Sequence, residues 1–182
     1  TPLYPQGKVT PDEEKYETIN ATGYVLTVPM AWRQLTGGDG YVSTRVFDAG
    51  GVSFPVQHNG KEVVAIMFLI EEECTSIEDA RKLCLLSCSD SQGKTELSQD
   101  EYQIKHFRLA SGQQAYKIHT RFYRPSNGLY QSRYDLVAYS AKTGKAYFYT
   151  ITLQYNDNTT GFETQYNLDG YASYLFSKFL LK

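Results

Sequence analysis

The segment QAYKIHTRFYR at 114–124 holds a dense pattern of groups able to do chemistry: Lys117, His119 and Arg121 alternate with Tyr116, Ile118 and Phe122. Successive side chains of a strand point to opposite faces, so this period places the three polar groups on one face of a sheet. From Tyr102 through Tyr134 the chain has no Asp or Glu, while Lys105, Arg108, Lys117, Arg121, Arg124 and Arg133 supply six cations, with His106 and His119 among them. Lys117, His119, Arg121 and Arg133 are therefore the candidate binding residues. The chemistry they offer is recognition of an anion: an acidic protein surface, a glycan or a lipid head group. A rival reading keeps the same face solvated, its cations paired with carboxylates of neighbouring elements. An imidazole on the face would make anion recognition pH-dependent near neutrality.

Catalytic signatures are absent. There is no Gly-x-Ser-x-Gly elbow, no P-loop, no GxGxxG and no His-x3-His or Glu-x-x-His. His58, His106 and His119 are the only histidines, and Cys74 with His119 has no local support as a nucleophile pair. The chain is expected not to be an enzyme and to need no cofactor. Cys84 and Cys88 stand at i and i+4 on one helical face with Ile77 and Ala80, where free cysteine behaves as a small hydrophobe. Three cysteines leave at least one unpaired; Cys74 could pair with another only in an oxidising compartment. With no histidine nearby, no metal site is assigned to them.

These groups need strands and helices to hold them, and the pattern supplies both. At 182 residues the chain can bury about 70% of the surface it would expose unfolded. Its 16 tyrosines and repeated Tyr, Phe, Val, Ile and Thr suit half-buried pleated surfaces. YVLTVP at 24–29 reads as a strand ended by proline, and His58-Asn59-Gly60 between apolar runs reads as a hairpin turn. At TSIEDARKLCLLSC the period changes from two to 3.6, with Thr75 and Glu78 in the form of a capping box. Four strands then follow in YQIKHFRLA, QAYKIHTRFYR, YQSRYDLVAYS and KAYFYTITLQY, separated by Ser-Gly-Gln, PSNG and AKTG. NLDGYASYLFSKFLLK closes the chain as a helix over 168–181, with Leu168, Tyr171, Ala172, Leu175 and Phe179 on one stripe and Asn167 or Asp169 as its cap. The expected fold class is α+β: an antiparallel sheet of six or more strands with both helices packed on it.

The acidic, proline-containing residues 1–21 read as a loosely packed arm, leaving 22–182 as one domain. The formal charge of −2 and the sequence pI of 5.9 argue against nucleic acid as a partner. The longest apolar run, VVAIMFLI at 63–70, is too short for a membrane span, which needs about 20 residues. The Thr-Pro start suits a mature exported form or a trimmed piece. Asn20-Ala21-Thr22 and Asn158-Thr159-Thr160 fit the glycosylation sequon, which matters only in a eukaryotic secretory context.

The element order, with YVLTVPMAW near the front and KAYFYTITLQY followed by a helical end, resembles the PsbP-like family of α/β/α sandwich domains. That family includes photosystem II extrinsic subunits, a Ran-binding nuclear import factor and bacterial envelope lipoproteins. The resemblance implies that Pro29 ends the strand so that Trp32 folds back as a packing anchor, with a ligand-stacking indole as the rival. It also implies a non-enzymatic domain that acts through protein partners, without a common cofactor. The expectation is thus a monomeric extracytoplasmic interaction or accessory domain of the cell envelope or periplasm. Its partner would be a protein, acidic if the basic face is used, and a lipid anchor upstream of Thr1 would fit. The alternative is a small-ligand or anion-binding protein using the basic sheet face. No motif carries over photosystem or Ran binding.

Overall fold

The computed structural model describes residues 16–29, 33–35, 45–48, 54–58, 61–124, 128–155 and 168–182. Its elements run β1 (Tyr16–Asn20), β2 (Tyr24–Pro29), β3 (Arg33–Leu35), β4 (Arg45–Asp48), β5 (Phe54–His58), β6 (Lys61–Glu73), α1 (Ile77–Ser91), β7 (Tyr102–Arg108), β8 (Gln114–Arg124), β9 (Leu129–Ser140), β10 (Lys145–Tyr155), α2 (Leu168–Ser177) and β11 (Leu180–Leu181). An eight-stranded antiparallel sheet has the order β3-β4-β6-β10-β9-β8-β7, with β5 also paired to β6; β1, β2 and β11 form a smaller sheet. The expected α+β class, with both helices packed on an antiparallel sheet, is what the chain forms.

Short turns make the register legible. His58 pairs with Lys61, which makes β5 and β6 antiparallel neighbours, while Asn59 and Gly60 lie outside the described residues. β7, β8, β9 and β10 are consecutive neighbours, each antiparallel to the last. Gly144, in the AKTG turn, has a φ of 70° that a side chain resists, and its N–H closes the turn on Ser140 O at 2.8 Å.

The large sheet has two apolar faces, each covered. On one, Ala80, Cys84 and Cys88 of α1 pack against Tyr116, Ile118, Val137, Ala146 and Phe148. Burying both sulfurs there matches the packing role expected of them, and all three cysteines are free thiols. On the other face, Ala172, Leu175 and Phe176 of α2, with Phe179 beyond it, meet Tyr134, Leu136, Tyr147 and Tyr149. Tyr24, Leu26 and Val28 of the small sheet join that second core, alternating along β2 as the sequence pattern requires.

Three boundaries differ from expectation. The N-cap of α1 is Ser76, not Thr75: its extended backbone lets Oγ accept from Asp79 N at 3.0 Å, while Thr75 Oγ1 donates to Asp79 Oδ2 at 3.2 Å. Glu78 is thereby free of capping, and its carboxylate accepts from the Tyr116 hydroxyl and pairs with Arg81 at 3.0 Å. The closing helix stops at Ser177 because Leu180 and Leu181 leave the helical path to pair with Val25 and Tyr24. Finally, β1 lies inside the stretch read as an arm, and pairs with β2 over its whole length. Residues 1–15, Trp32, the 36–44 segment, Asn158 and Asn167 lie outside the described residues, so the readings placed on them are not addressed by the fold.

Candidate functional site

The structure divides the four candidate residues between the two faces of the sheet. Lys117, His119 and Arg121 share the α2 side, as their alternation predicts. Arg133, on β9, belongs to the α1 side: its Nη2 donates to Ser87 Oγ of α1 at 3.3 Å. Its position follows from register, since Arg133 pairs with Thr120 and therefore shares the face of the residues between the three cations. Inside the protein it forks onto Asp135, with Nε donating to Oδ2 at 2.8 Å and Nη2 to Oδ1 at 3.1 Å. Burial alone would weaken the guanidinium's charge; the Asp135 carboxylate more than offsets this and holds the proton more firmly than usual.

On the α2 side the pattern is denser than the sequence reading assigned. Lys105 of β7 lies directly opposite Lys117 of β8, a like-charge cross-strand pair that is unfavourable by itself. The Lys117 stem is buried, and its ammonium donates to Asp169 Oδ1 at 2.5 Å and to Ser173 Oγ at 2.6 Å, both on α2. It also lies 5.6 Å from the centre of the Tyr134 ring, a cation–π distance. Lys105 is exposed beside this cluster. Between them a cavity of about 220 Å³ is lined by Lys105, His106, Phe107, Lys117, Asp169, Ser173 and Phe176.

Asp169 answers the cations. Its partial burial would raise its pKa, but the hydrogen bond and charge of Lys117, reinforced by Lys105 and His119, hold it below the usual carboxylate range. His119, next along the face, stacks flat on Tyr134 with ring centres 4.1 Å apart and planes 3° from parallel, and its Nε2 is 3.0 Å from Ser132 Oγ. Arg121 is exposed beyond it. Asp169 therefore pairs directly with Lys117 and feels the charge of Lys105, with an imidazole and a guanidinium following along β8. That arrangement can bind an anion by charge and by hydrogen bonds from the ammonium groups and the Ser173 hydroxyl. It offers no activated nucleophile.

Lys105, Asp169 and Ser173 are the members that the residue pattern did not single out. Lys105 was legible as one of the six acid-free cations. Asp169 and Ser173 were not, since they reach Lys117 across 52 and 56 residues of sequence and only the docking of α2 brings them there.

The architecture described above, a central antiparallel sheet with α1 on one face and α2 with a small sheet on the other, is an α/β/α sandwich, the fold that the PsbP-like resemblance implies. Among solved structures it is similar to the Ran-binding protein Mog1p of Saccharomyces cerevisiae, at a TM-score of 0.58 and 9% identity over 91% of this chain and 95% of that one. A Mog1 E65A mutant matches equally, at a TM-score of 0.57 and 9% identity over the same shares. LpqN of Mycobacterium tuberculosis, described as involved in cell envelope biogenesis, aligns over 100% of this chain and 99% of its own at 16% identity, with a TM-score of only 0.43. No protein-family model matches the chain, and no curated protein matches it. At 9% identity the likeness to Mog1p shows the fold alone.

Proposed function

We propose that this chain is a non-enzymatic interaction domain that recognises an anionic group of a protein partner on the α2 side of β7 and β8. The observation that carries the reading is the cross-strand pair Lys105–Lys117, facing one carboxylate, Asp169, over a 220 Å³ cavity. Two ammonium groups against one carboxylate leave a local positive excess in a protein of net charge −2. A carboxylate or phosphate entering the cavity relieves the repulsion between the lysines, and the exposed Arg121 extends the same charge along β8. Support of a different kind comes from the fold, since the similar Mog1p is described as a Ran-binding protein and so works by binding another protein. A cell-envelope location and a monomeric state belong to the same proposal and rest on the sequence reading.

The test is partner capture by immobilised protein, comparing the native chain with Lys105→Glu/Arg121→Glu at low and high salt. Both substituted side chains are exposed, so each should alter stability by no more than about 0.5 kcal/mol. The proposal expects a captured acidic protein to be lost in the variant and at high salt. Capture indifferent to both would place the working surface elsewhere.

A further inference from the structure

The α1 side of the sheet holds a second cluster that the anion-binding reading does not use. Cys84 and Cys88, one turn apart on α1, present their sulfurs to Asp135 of β9; the two Sγ atoms and a carboxylate oxygen all lie within 4.8 Å of one another, and all three residues are buried. Cys88 Sγ stands 3.7 Å from Asp135 Oδ2. Around them Arg133 forks onto the carboxylate, and Thr150 Oγ1 donates to Oδ1 at 2.6 Å. A cavity of about 210 Å³, lined by Phe68, Cys84, Ser87, Arg133, Phe148 and Thr150, reaches the cluster from outside.

We propose that Cys84, Cys88 and Asp135 bind one thiophilic divalent cation of the zinc type, with a solvent molecule from the cavity completing the coordination. Ligand chemistry, size, charge and access each support it. Two sulfurs and one carboxylate oxygen are a recognised donor set for such an ion. Bonds of about 2.3 Å to sulfur and about 2.0–2.2 Å to oxygen require the three atoms to contract by about 1 Å or less, which side-chain rotation on one helix and one strand can supply.

The charges balance as well. Without the ion, the charges of Arg133 and Asp135 cancel and the two sulfurs are neutral free thiols. When the ion enters, each Sγ–H gives up its proton to solvent and each sulfur forms a bond to the metal. Two thiolates and the carboxylate then carry three negative charges against the divalent ion and Arg133, so the buried cluster is neutral before and after. Nothing is oxidised or reduced. Arg133 is a positioning residue here: it fixes the carboxylate that ligates, as hydrogen-bonded partners of metal ligands do. The i, i+4 cysteine spacing does not announce the site, because its third member lies 47 residues from Cys88 in sequence.

The experiment titrates Co2+, then Zn2+, into the reduced, metal-free protein, reading sulfur-to-cobalt charge-transfer absorption, metal stoichiometry and proton release in weak buffer. The expected result is one ion per chain, a thiolate–cobalt band that Zn2+ removes, and about two protons released per ion. Cys84→Ser and Cys88→Ser should each abolish the band, Cys74→Ser should leave it unchanged, and Arg133→Gln should weaken affinity by about 10–100-fold. A folded native chain that shows no band, binds without proton release or keeps the band in Cys88→Ser overturns the proposal. The native-chain stoichiometry and proton count decide the matter even if a serine variant fails to fold.

Discussion

Arg133 and Asp135, two residues apart on β9, form a forked ion pair inside the protein, its hydrogen bonds 2.8 and 3.1 Å long and the carboxylate fully buried. Alternation along a strand returns residue i+2 to the same face, so the pair is built into the local sequence Arg-Tyr-Asp. Removing one partner strands the other in an apolar layer. Asp135→Ala should therefore cost about 3–5 kcal/mol in denaturant unfolding, whereas Arg133→Met/Asp135→Leu together should cost clearly less than Asp135→Ala alone. Equal losses in the single and double variants would show that the pair is not a coupled unit.

Lys117 and Asp169 make a second pair with a pH signature. The folded state holds the Asp169 carboxyl below its usual value of 3.8, so its contribution is full above that range and is lost as pH falls through the folded value. Asp169 is 63% exposed, and solvent screening limits the contribution to about 1 kcal/mol. The native chain should exceed Asp169→Asn in stability at pH 7, and the gap should narrow progressively as the pH is lowered below about 4 and through the depressed folded value. Thermal unfolding across that range checks it; a gap independent of pH would contradict the pairing.

Gly23 precedes β2 where a Cβ would stand 2.5 Å from the Tyr147 hydroxyl oxygen and 3.6 Å from the ring carbon bearing it. Tyr147 has little room to retreat, because its ring is buried between Tyr24 and Phe179 and its hydroxyl donates to Glu71 at 3.3 Å. Burial, with Glu71 second, has pushed that phenol up to about 12. Gly23→Ala should destabilise by about 1–3 kcal/mol, as overpacking does. Tyr147→Phe in the same chain should recover most of the loss; no recovery would mean that the strain lies in the backbone.

Where an element's cue is local, the sequence discloses it. The antiparallel pairing of β5 with β6, the start of α1 to within one residue of the Thr75 read as its cap, and the four alternating strands from β7 to β10 all come from turn chemistry and period. The α2 end was misread because Leu180 and Leu181 suit a helix stripe as well as a strand, and only the unpaired edge of β2 decides between them. The candidate face was half legible for a related reason. Period two groups Lys117, His119 and Arg121 correctly, but an acid-free run says nothing about which face Arg133 takes, and Asp169 announces only a helix start. Long-range docking of α2 and register across β8 and β9 supply what a single strand's pattern lacks.

Nuclear magnetic resonance of the native chain, titrated with inorganic phosphate and with a glutamate-rich peptide, tests the central claim most directly. Amide shifts should concentrate at Lys105 and Lys117 and around Asp169 and Ser173 in α2. They should fade near 1 M salt, where screening shortens electrostatic reach to about 3 Å. Lys105→Glu should weaken them at low salt. Phosphate shifts without peptide shifts would favour the small-anion reading of the same cavity. Shifts confined to other surfaces, or none with either anion at low salt, would contradict recognition of an anion by this face.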